Sequence, residues 1–234
     1  METQHLRLLC VLCKIFFFTC LIKSANAQLV KVTDTLLYPV WGIDISHYQG
    51  KVNWGIVRKS KPAFVIMKAT EGNSFKDKRF DENYNEVRKT RIPLSAYHYF
   101  SYNSSAEKQA KWFIQNVMLE AGDLPPVLDL EIKRNGNFTE DDLKNVRIWI
   151  ETIGKHYQCK PIVYVKSDFY NKYLKNQMLD CYLWIGDYEN EPVGINWTLW
   201  QHSERWKIKG INGYCDRNVF NGKLDNFKKI LLKK

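Results

Sequence analysis

After its first 27 residues the 234-residue sequence has no C-x-x-C motif and no cluster of His and Cys residues, which argues against a metal site. It also has no internal repeat and no low-complexity linker that would divide it into several domains. Hydrophobic residues make up 45% and charged residues 26%, which is ordinary for a soluble globular protein and excludes disorder and a membrane bundle. We predict one large domain that needs neither a metal nor another cofactor.

The N-terminal segment lacks an unbroken apolar run that could cross a membrane, because Lys14 interrupts the stretch Leu8–Ile22. Arg7 before this stretch and the small residues of Ala25-Asn26-Ala27 after it are typical of a secretory signal peptide. We therefore predict cleavage after Ala27, no stable membrane insertion, and a secreted or periplasmic protein.

Few cysteines remain once the predicted signal peptide is removed. Cys159, Cys181 and Cys215 are an odd number, so at least one thiol has no partner within the chain. Cys159 and Cys181 each precede a predicted strand and could form a disulfide, but the sequence leaves that geometry open.

The charge is strongly positive. The formal net charge is +10 over the whole sequence. Removal of residues 1–27, which contain three basic residues and one Glu, lowers it to +8. A positive protein is attracted to polyanions, which include bacterial cell walls, nucleic acids and anionic membranes. Charge alone does not choose among these partners.

Apolar segments without alternation, such as Ala63–Lys68, are typical of parallel strands that are covered on both faces. The first five predicted strands alternate with helices, whereas the later strands do not. The pattern predicts an α/β fold, a single irregular TIM-like barrel of about eight parallel strands whose last helices are missing or reduced. The predicted strands are residues 40–46, 63–68, 94–100, 125–131, 161–165, 182–185, 197–202 and 213–220; the predicted helices are 52–59, 81–90, a segment from a cap at Ser104 or Ser105 to Leu119, 140–156, 167–174 and 224–232.

One apolar stretch, Pro125–Glu131, ends in two carboxylates spaced two residues apart. On a β-strand Asp129 and Glu131 would lie on the same face, while Leu128 and Leu130 lie on the other. Two like charges in a partly dry site separate their pKa values, so that one carboxyl serves as a general acid and the other stays ionised. This is the chemistry of glycoside hydrolysis. The simpler alternative is a strand that ends in two solvated acids.

Further acids occur near the ends of other predicted strands. In barrels of this kind the active site lies at the carboxyl ends of the strands, where side chains from several strands meet. Placing several acids close together costs free energy because like charges repel, so such a cluster indicates a functional site. The acids at these positions are Asp44, Glu71, Asp129, Glu131 and Asp216.

Five separated motifs resemble, in order and spacing, one known family, the family 25 glycoside hydrolases or Chalaropsis-type lysozymes. The resemblance covers about residues 40 to 222. It is carried by Trp41-Gly42-Ile43-Asp44-Ile45-Ser46-His47-Tyr48-Gln49-Gly50, Lys68-Ala69-Thr70-Glu71-Gly72, Ala96-Tyr97-His98-Tyr99-Phe100, Val127-Leu128-Asp129-Leu130-Glu131 and Asp216-Arg217-Asn218-Val219-Phe220.

This resemblance implies a flattened β/α barrel that hydrolyses the β-1,4 bond between N-acetylmuramic acid and N-acetylglucosamine in peptidoglycan. By position in these motifs, Glu131 matches the family's proton donor and Asp129 matches the acid that supports the reacting centre. Asp44 and Asp216 match the two remaining acids. The expected organisation is a signal peptide over residues 1–27, a lead-in segment over 28–39 and a catalytic barrel over 40–234.

The D-x-E spacing and the resemblance together lead to an expected mechanism. Glu131, its pKa raised by burial and by Asp129, would protonate the glycosidic oxygen. Asp129 would orient the N-acetyl group of the sugar, whose carbonyl oxygen attacks the anomeric carbon in place of a protein nucleophile. Water activated by Glu131 would then complete net retention. Inversion stays open, because the sequence does not give the separation of the carboxyl groups.

Seven further residues near strand ends are predicted to contact the sugar. Each has a structural alternative, because aromatic side chains also fill barrels and Lys68 can simply pair with Glu71. The segment Trp200-Gln201-His202-Ser203 resembles the family's usual seventh-strand motif, except that His202 stands where a Tyr is common. The predicted contacts are Tyr97, Tyr99, Lys68, Glu71, Trp184, Trp200 and Gln201.

Other functions are compatible with the same residues. One is a catalytically silent barrel that binds cell-wall or chitin-like glycan, and another is a structural or inhibitory module whose acids only form ion pairs. Within the enzymes, the alternative is an N-acetylhexosaminidase that acts on chitin-type polymer. We predict a monomer whose partner is the glycan strand of peptidoglycan and which does not bind nucleic acid.

Overall fold

The computed structural model of the protein describes residues 37–132 and 137–233. The predicted signal peptide, its cleavage site at Ala27 and residues 28–36 of the predicted lead-in lie outside this part. Residues Val40–Lys234 form one compact unit. Among the described residues, no helix combines the length and the apolar character needed to cross a membrane.

Eight strands form a closed ring, and a ninth short strand pairs with one of them from outside. The strands are β1 (Trp41–Ile45), β2 (Phe64–Glu71), β3 (Phe75–Lys76), β4 (Leu94–Tyr99), β5 (Val127–Asp129), β6 (Ile162–Lys166), β7 (Tyr182–Gly186), β8 (Leu199–Trp206) and β9 (Cys215–Phe220). The ring runs β1, β2, β4, β5, β6, β7, β8, β9, and β9 pairs with β1 to close it. The barrel predicted from the sequence is confirmed, whereas the β2–β3 hairpin was not predicted.

The last strand runs against its neighbours. From β1 through β2 and β4 to β8 all pairs are parallel, but β9 is antiparallel to both β8 and β1. The prediction of an all-parallel barrel is therefore wrong for this strand. Only residues 207–214 join β8 to β9, which is too short for the crossover that a parallel connection needs.

Helices connect the early strands outside the ring and become short after β6. They are α1 (Trp54–Val57), α2 (Phe80–Thr90), α3 (Ala106–Asn116), α4 (Glu140–Tyr157), α5 (Ser167–Phe169), which continues as a π-helical turn over Tyr170–Leu174, and α6 (Leu224–Ile230). The capping box predicted between Thr139 and Asp142 begins α4. The prediction that α3 reaches Leu119 is wrong, because Val117 already has an extended backbone with φ −125° and ψ 124°.

Aromatic contacts attach the helices to the ring. The rings of Phe64 on β2 and Phe227 on α6 stack with centroids 5.5 Å apart. On another side the fully buried Trp149 of α4 lies against the rings of Phe113 and His98. With the helices packed around the outside, the carboxyl ends of the parallel strands and the start of β9 form one rim.

The three cysteines of the described part are free thiols. The disulfide considered between Cys159 and Cys181 is therefore not formed in this structure. Burial raises the pKa of the Cys159 thiol to about 11 and that of Cys181 to about 12. Both groups are accordingly neutral and poorly nucleophilic near pH 7.

We expect the substitution Gly42→Ala to destabilise the barrel. A Cβ atom at Gly42 would lie 2.4 Å from the ring of Phe64 and 2.5 Å from its carbonyl oxygen, so β1 and β2 would have to move apart. Overpacking of this kind costs about 1–3 kcal/mol, and in a chain of this size each kcal/mol lowers Tm by roughly 2–4 °C.

Gly55→Ala in α1 is the matched control, because its added Cβ would meet only the Asn53 side-chain oxygen, at 3.5 Å. Thermal unfolding followed by circular dichroism compares the two variants with the wild-type protein. A Gly42→Ala variant that melts at the wild-type temperature would contradict the proposed close approach.

Candidate active site

All five acids predicted at strand ends line one cleft at the rim of the barrel. The cleft has a volume of about 1140 Å³. A recess of about 120 Å³ shares several of its lining residues and extends toward β6, β7 and β8. The structure therefore brings together, from distant parts of the chain, the acids Asp44, Glu71, Asp129, Glu131 and Asp216.

Asp44 and Asp216 lie directly opposite each other on β1 and β9. Burial raises the pKa of Asp44, although hydrogen bonds from Asn218 and Gln201 partly offset it. Burial and the neighbouring Asp44 raise the pKa of Asp216 to about 9. Near pH 7 the pair thus shares one proton, and that proton relieves the repulsion between the two carboxyl groups.

Two buried amides donate to Asp44. Its Oδ2 accepts hydrogen bonds from Asn218 Nδ2 at 2.7 Å and from Gln201 Nε2 at 3.0 Å. The oxygen of each amide is occupied elsewhere: Asn218 Oδ1 accepts from Trp184 Nε1 at 2.9 Å, and Gln201 Oε1 accepts from Tyr164 OH at 2.8 Å. The Trp184 N–H can only donate, and the Tyr164 hydroxyl donates here. Both amides therefore turn their NH₂ groups toward Asp44.

Gly186 has no side chain, and this leaves room for the network. A Cβ atom there would lie 2.4 Å from the hydroxyl oxygen of Tyr164 and 3.0 Å from Cδ of Lys166. Glycine at this point of β7 therefore lets the Tyr164 phenol reach Gln201. Tyr188 OH supplies a second hydrogen bond to the same Gln201 oxygen, at 2.9 Å.

Asp129 ends β5 and is partly buried. Its Oδ1 is enclosed and has no hydrogen-bond partner among the described residues. Burial, and after it the charge of Glu131, raises the pKa of Asp129 well above its ordinary value. The Asp129 carboxyl thus favours its protonated form more than a solvated Asp does.

Glu131 lies beyond the end of β5 and its side chain is exposed. The expectation that Glu131 is buried is therefore wrong. Leu128 and Leu130 are fully buried while Asp129 and Glu131 both line the cleft, so the alternation continues past β5, but Glu131 lies at its open end. Tyr99 OH donates to Glu131 Oε2 at 3.2 Å, and Tyr102 OH donates to the Glu131 carbonyl oxygen at 2.7 Å, so two tyrosines hold this residue at the cleft.

Four of the predicted sugar contacts line the cleft beside the acids. Lys68 Nζ pairs with Glu71 Oε2 at 2.7 Å and lies 4.9 Å from the centre of the Tyr99 ring. Burial raises the pKa of Tyr97 well above its ordinary value, so its hydroxyl stays a hydrogen-bond donor. The four lining residues are Lys68, Glu71, Tyr97 and Tyr99.

The other three predicted contacts lie deeper. Trp184 and Gln201 are buried and line only the recess. Trp200 lines neither the cleft nor the recess; it is buried, and its Nε1 donates to the Asp187 carbonyl oxygen at 2.7 Å. The structure thus does not bring Trp200 to the site, because it lies on the opposite face of β8 from Gln201.

Several residues of the site escaped sequence reasoning. Asn218 lies two residues after Asp216 on β9, so strand alternation could have placed it on the same face. Tyr164 of β6 lies opposite Asp129 of β5, and the sequence alone does not give this register. Tyr188 lies in the loop after β7, where no periodic pattern indicates which way a side chain points.

His98 is committed to other contacts. Burial lowers the pKa of His98 to about 4, and its ring nitrogens lie 2.8 Å from Thr70 Oγ1 and 3.1 Å from Gln109 Oε1. Over residues 37–132 and 137–233, no group of three or more His, Cys, Asp or Glu side chains is arranged to hold a metal ion. The chemistry available here is that of carboxyl groups, amides and phenols.

Comparison with known proteins gives a family match. The model of the family described as "Glycosyl hydrolases family 25" matches residues 43–211. This range includes Asp44, Asp129 and Glu131 and most of the barrel.

Individual proteins are similar over most of the chain. The uncharacterized protein YegX of Escherichia coli strain K12 is 36% identical over 200 residues, which are 82% of this chain and 73% of that protein. Lysozyme M1 of Streptomyces globisporus is 32% identical over 200 residues, 78% of this chain and 68% of its own length. The solved structure of a family 25 glycosyl hydrolase from Bacillus anthracis superposes with a TM-score of 0.78 at 36% identity, covering 82% of this chain and 93% of that one.

The raised pKa of Asp216 predicts how stability changes with pH. An unfolded Asp ionises near 3.8, whereas Asp216 in the fold ionises at about 9. The folded state binds this proton more tightly, so the stabilisation is complete below about pH 4 and is lost as the pH rises toward 9. Asp216→Asn removes this dependence, and we expect its Tm to exceed that of the wild type by about 3 °C or more at pH 8.5.

Thermal unfolding at pH 5, 7 and 8.5 measures the effect. Asp225→Asn, on the exposed surface of α6, is the control and should follow the wild-type curve. A wild-type Tm that does not fall between pH 5 and pH 8.5 relative to Asp216→Asn would refute the shared proton.

Proposed function

Because this chain belongs to glycosyl hydrolase family 25, we propose that it is a muramidase that cleaves the β-1,4 bond between N-acetylmuramic acid and N-acetylglucosamine in peptidoglycan. The observation that carries the proposal is the convergence of Asp44, Asp129, Glu131 and Asp216 on one cleft. The name of the similar Lysozyme M1 supports the same substrate. The predicted signal peptide supports secretion, which would bring the enzyme to cell walls.

In this proposal Glu131 is the proton donor. It is exposed at the edge of the cleft, within hydrogen-bond reach of Tyr99. A glycan strand in the cleft would displace water from Glu131, and desolvation favours the protonated carboxyl that can give its proton to the glycosidic oxygen. In the free protein the raised pKa of Asp129 favours its protonated form. A hydrogen bond from the bound sugar to Asp129 would lower that pKa and favour the ionised form.

Asp129, once ionised, is proposed to orient the N-acetyl group of the sugar in front of it. Asp129 lines the cleft, so its carboxylate would accept the amide N–H of the bound sugar. The carbonyl oxygen of the N-acetyl group then attacks the anomeric carbon as the bond to the leaving sugar breaks, and Glu131 protonates that leaving oxygen. In the second step Glu131 takes a proton from water, whose oxygen bonds to the anomeric carbon as the bond between that carbon and the N-acetyl oxygen breaks and the N-acetyl group is restored. Both steps invert the anomeric centre, so the overall result is retention.

Asp44 and Asp216 are proposed to bind the same sugar from the floor of the cleft. Asp44 accepts hydrogen bonds from two amides, and the pair shares one proton, which leaves it with one negative charge and one hydroxyl donor. Together they present an acceptor and a donor to sugar hydroxyl groups. The negative charge also favours the positive charge that develops at the reacting carbon.

We expect Glu131→Gln to reduce turnover by at least about 100-fold, because the amide cannot donate or accept a proton as a general acid and base must. The substrate is soluble uncross-linked peptidoglycan strands, and release of new reducing ends at muramic acid is followed by mass spectrometry. Glu107→Gln, an exposed acid in the first turn of α3, is the matched control. Unchanged turnover in Glu131→Gln would exclude it as the proton donor. New reducing ends at N-acetylglucosamine alone would instead indicate a hexosaminidase.

Participation of the N-acetyl group predicts both the substrate requirement and the anomer formed. Strands whose muramic acid residues have been N-deacetylated should be cleaved at least about 100-fold more slowly than acetylated strands. Proton NMR of early product should show the β-anomer before mutarotation. Initial formation of the α-anomer would mean direct attack by water and inversion, and equal cleavage of deacetylated strands would exclude participation by the N-acetyl group.

A further inference from the structure

A β-hairpin formed by β8 and β9 projects beyond the rim next to the acids. β7 pairs with β8 only from Leu199 to Gln201, whereas β9 follows β8 as far as Trp206. Two register shifts on β8, after Gln201 and after Ser203, bend this outer part of the hairpin. The outer part is thus a two-stranded arm attached to the strand that bears Asp216.

Two cations and one tyrosine lie together on this arm. Cζ of Arg205 is 5.2 Å and Nζ of Lys207 is 5.1 Å from the centre of the Tyr214 ring. Trp206, between the two cations in sequence, pairs with Cys215 and turns to the other face, where it stacks on Arg217. Because side chains alternate along a strand, Arg205, Lys207 and Tyr214 lie on the opposite face from Trp206, which is the face of Asp216. We name Arg205, Lys207 and Tyr214 the hairpin patch.

The hairpin patch is tied to the wall of the cleft. The carbonyl oxygen of Tyr214 accepts a hydrogen bond from Gln49 Nε2 at 3.1 Å, and Gln49 lines the cleft. The capping interaction from the Ser46 backbone N–H to Gln49 Oε1, at 2.9 Å, fixes that side chain. A ligand that occupies the cleft near Gln49 therefore lies close to the hairpin patch.

The charge of the hairpin patch is not neutralised. Within residues 37–132 and 137–233 no carboxylate forms a salt bridge with Arg205 or Lys207, whereas Lys68, which lines the cleft, pairs with Glu71. All three residues of the patch are exposed. A hydrogen bond from Arg205 and the charge of Lys207 lower the pKa of Tyr214, which reports a positive local potential. The neighbouring acid Glu204 is exposed and raises the pKa of Asp216 through its charge, so it acts toward the floor of the cleft.

Two unpaired cations beside a phenol suit a carboxylate ligand, because a guanidinium can hold both carboxylate oxygens and an ammonium adds a second charge. The polymer proposed as substrate supplies such groups next to the glycan. Every muramic acid bears a lactyl ether, and the peptide attached to it ends in carboxylates, which chitin lacks. We propose that the hairpin patch is a carboxylate-binding site for the acidic peptide stems of peptidoglycan. This inference rests on the proposed muramidase function and deepens it, since it makes peptide-bearing strands the preferred substrate.

The test compares two soluble substrates made from the same cell wall, strands with intact acidic peptides and strands whose peptide carboxylates have been converted to amides. We expect wild-type protein to have a kcat/KM about tenfold higher on the acidic strands, with most of the difference in KM. In Arg205→Gln/Lys207→Gln this preference should fall to less than about twofold, while kcat/KM on the amidated strands stays unchanged. Salt should reduce the wild-type preference, because the contact is electrostatic and exposed.

Two variants control for net charge and for folding. Lys228→Gln/Lys229→Gln on α6, at the other end of the barrel, removes the same charge and should keep the preference. Arg205→Lys with Lys207 intact keeps both charges and should retain more than half of it. A wild-type protein that cleaves both substrates equally well, or a patch variant that keeps the tenfold preference, would overturn the carboxylate site and leave the muramidase function standing. If the wild type cleaved neither substrate, the proposed function would fall, and the carboxylate site with it.

Discussion

The repulsion between Asp44 and Asp216 is the constraint on which the rest of the site depends. Antiparallel pairing of β1 with β9 places the two carboxyl groups opposite each other in a largely buried position. A proton shared by the pair and two amide donors to Asp44 relieve that repulsion. Each amide is oriented by a further buried donor, and Gly186 leaves the space that one of those donors needs. The acids are therefore supported by a shell that reaches across β6, β7 and β8.

The second pair of acids differs from the first in its surroundings. Asp129 is enclosed at the end of β5, whereas Glu131 is exposed and held by tyrosines. Two carboxyl groups in unlike environments take different protonation states, which is the condition for separate roles in cleavage of a glycosidic bond. Because one of the two is open to solvent, a bound polymer can change the balance between them. In the proposed mechanism, substrate binding and proton placement are then parts of one event.

The reversed direction of β9 brings Asp216 and the hairpin patch to the same end of the barrel. It places the start of the strand, and with it Asp216, at the same rim as the ends of the parallel strands. It also makes β8 and β9 a hairpin whose outer part carries Arg205, Lys207 and Tyr214 beside the cleft. A floor of acids for the sugar and a cationic arm for acidic side groups would match the two chemical halves of peptidoglycan.

The sequence by itself determined the barrel, most of its strands and helices, and the acids of the cleft. Apolar runs, capping residues and motifs such as Val127–Glu131 are local patterns, and a local pattern can be read along the chain. Only the tertiary structure decided the direction of β9, the exposure of Glu131, the absence of Trp200 from the cleft and the amide network around Asp44. Each of these depends on which residues from distant segments meet. Such meetings follow from the packing of the whole barrel, which spacing along the chain does not encode.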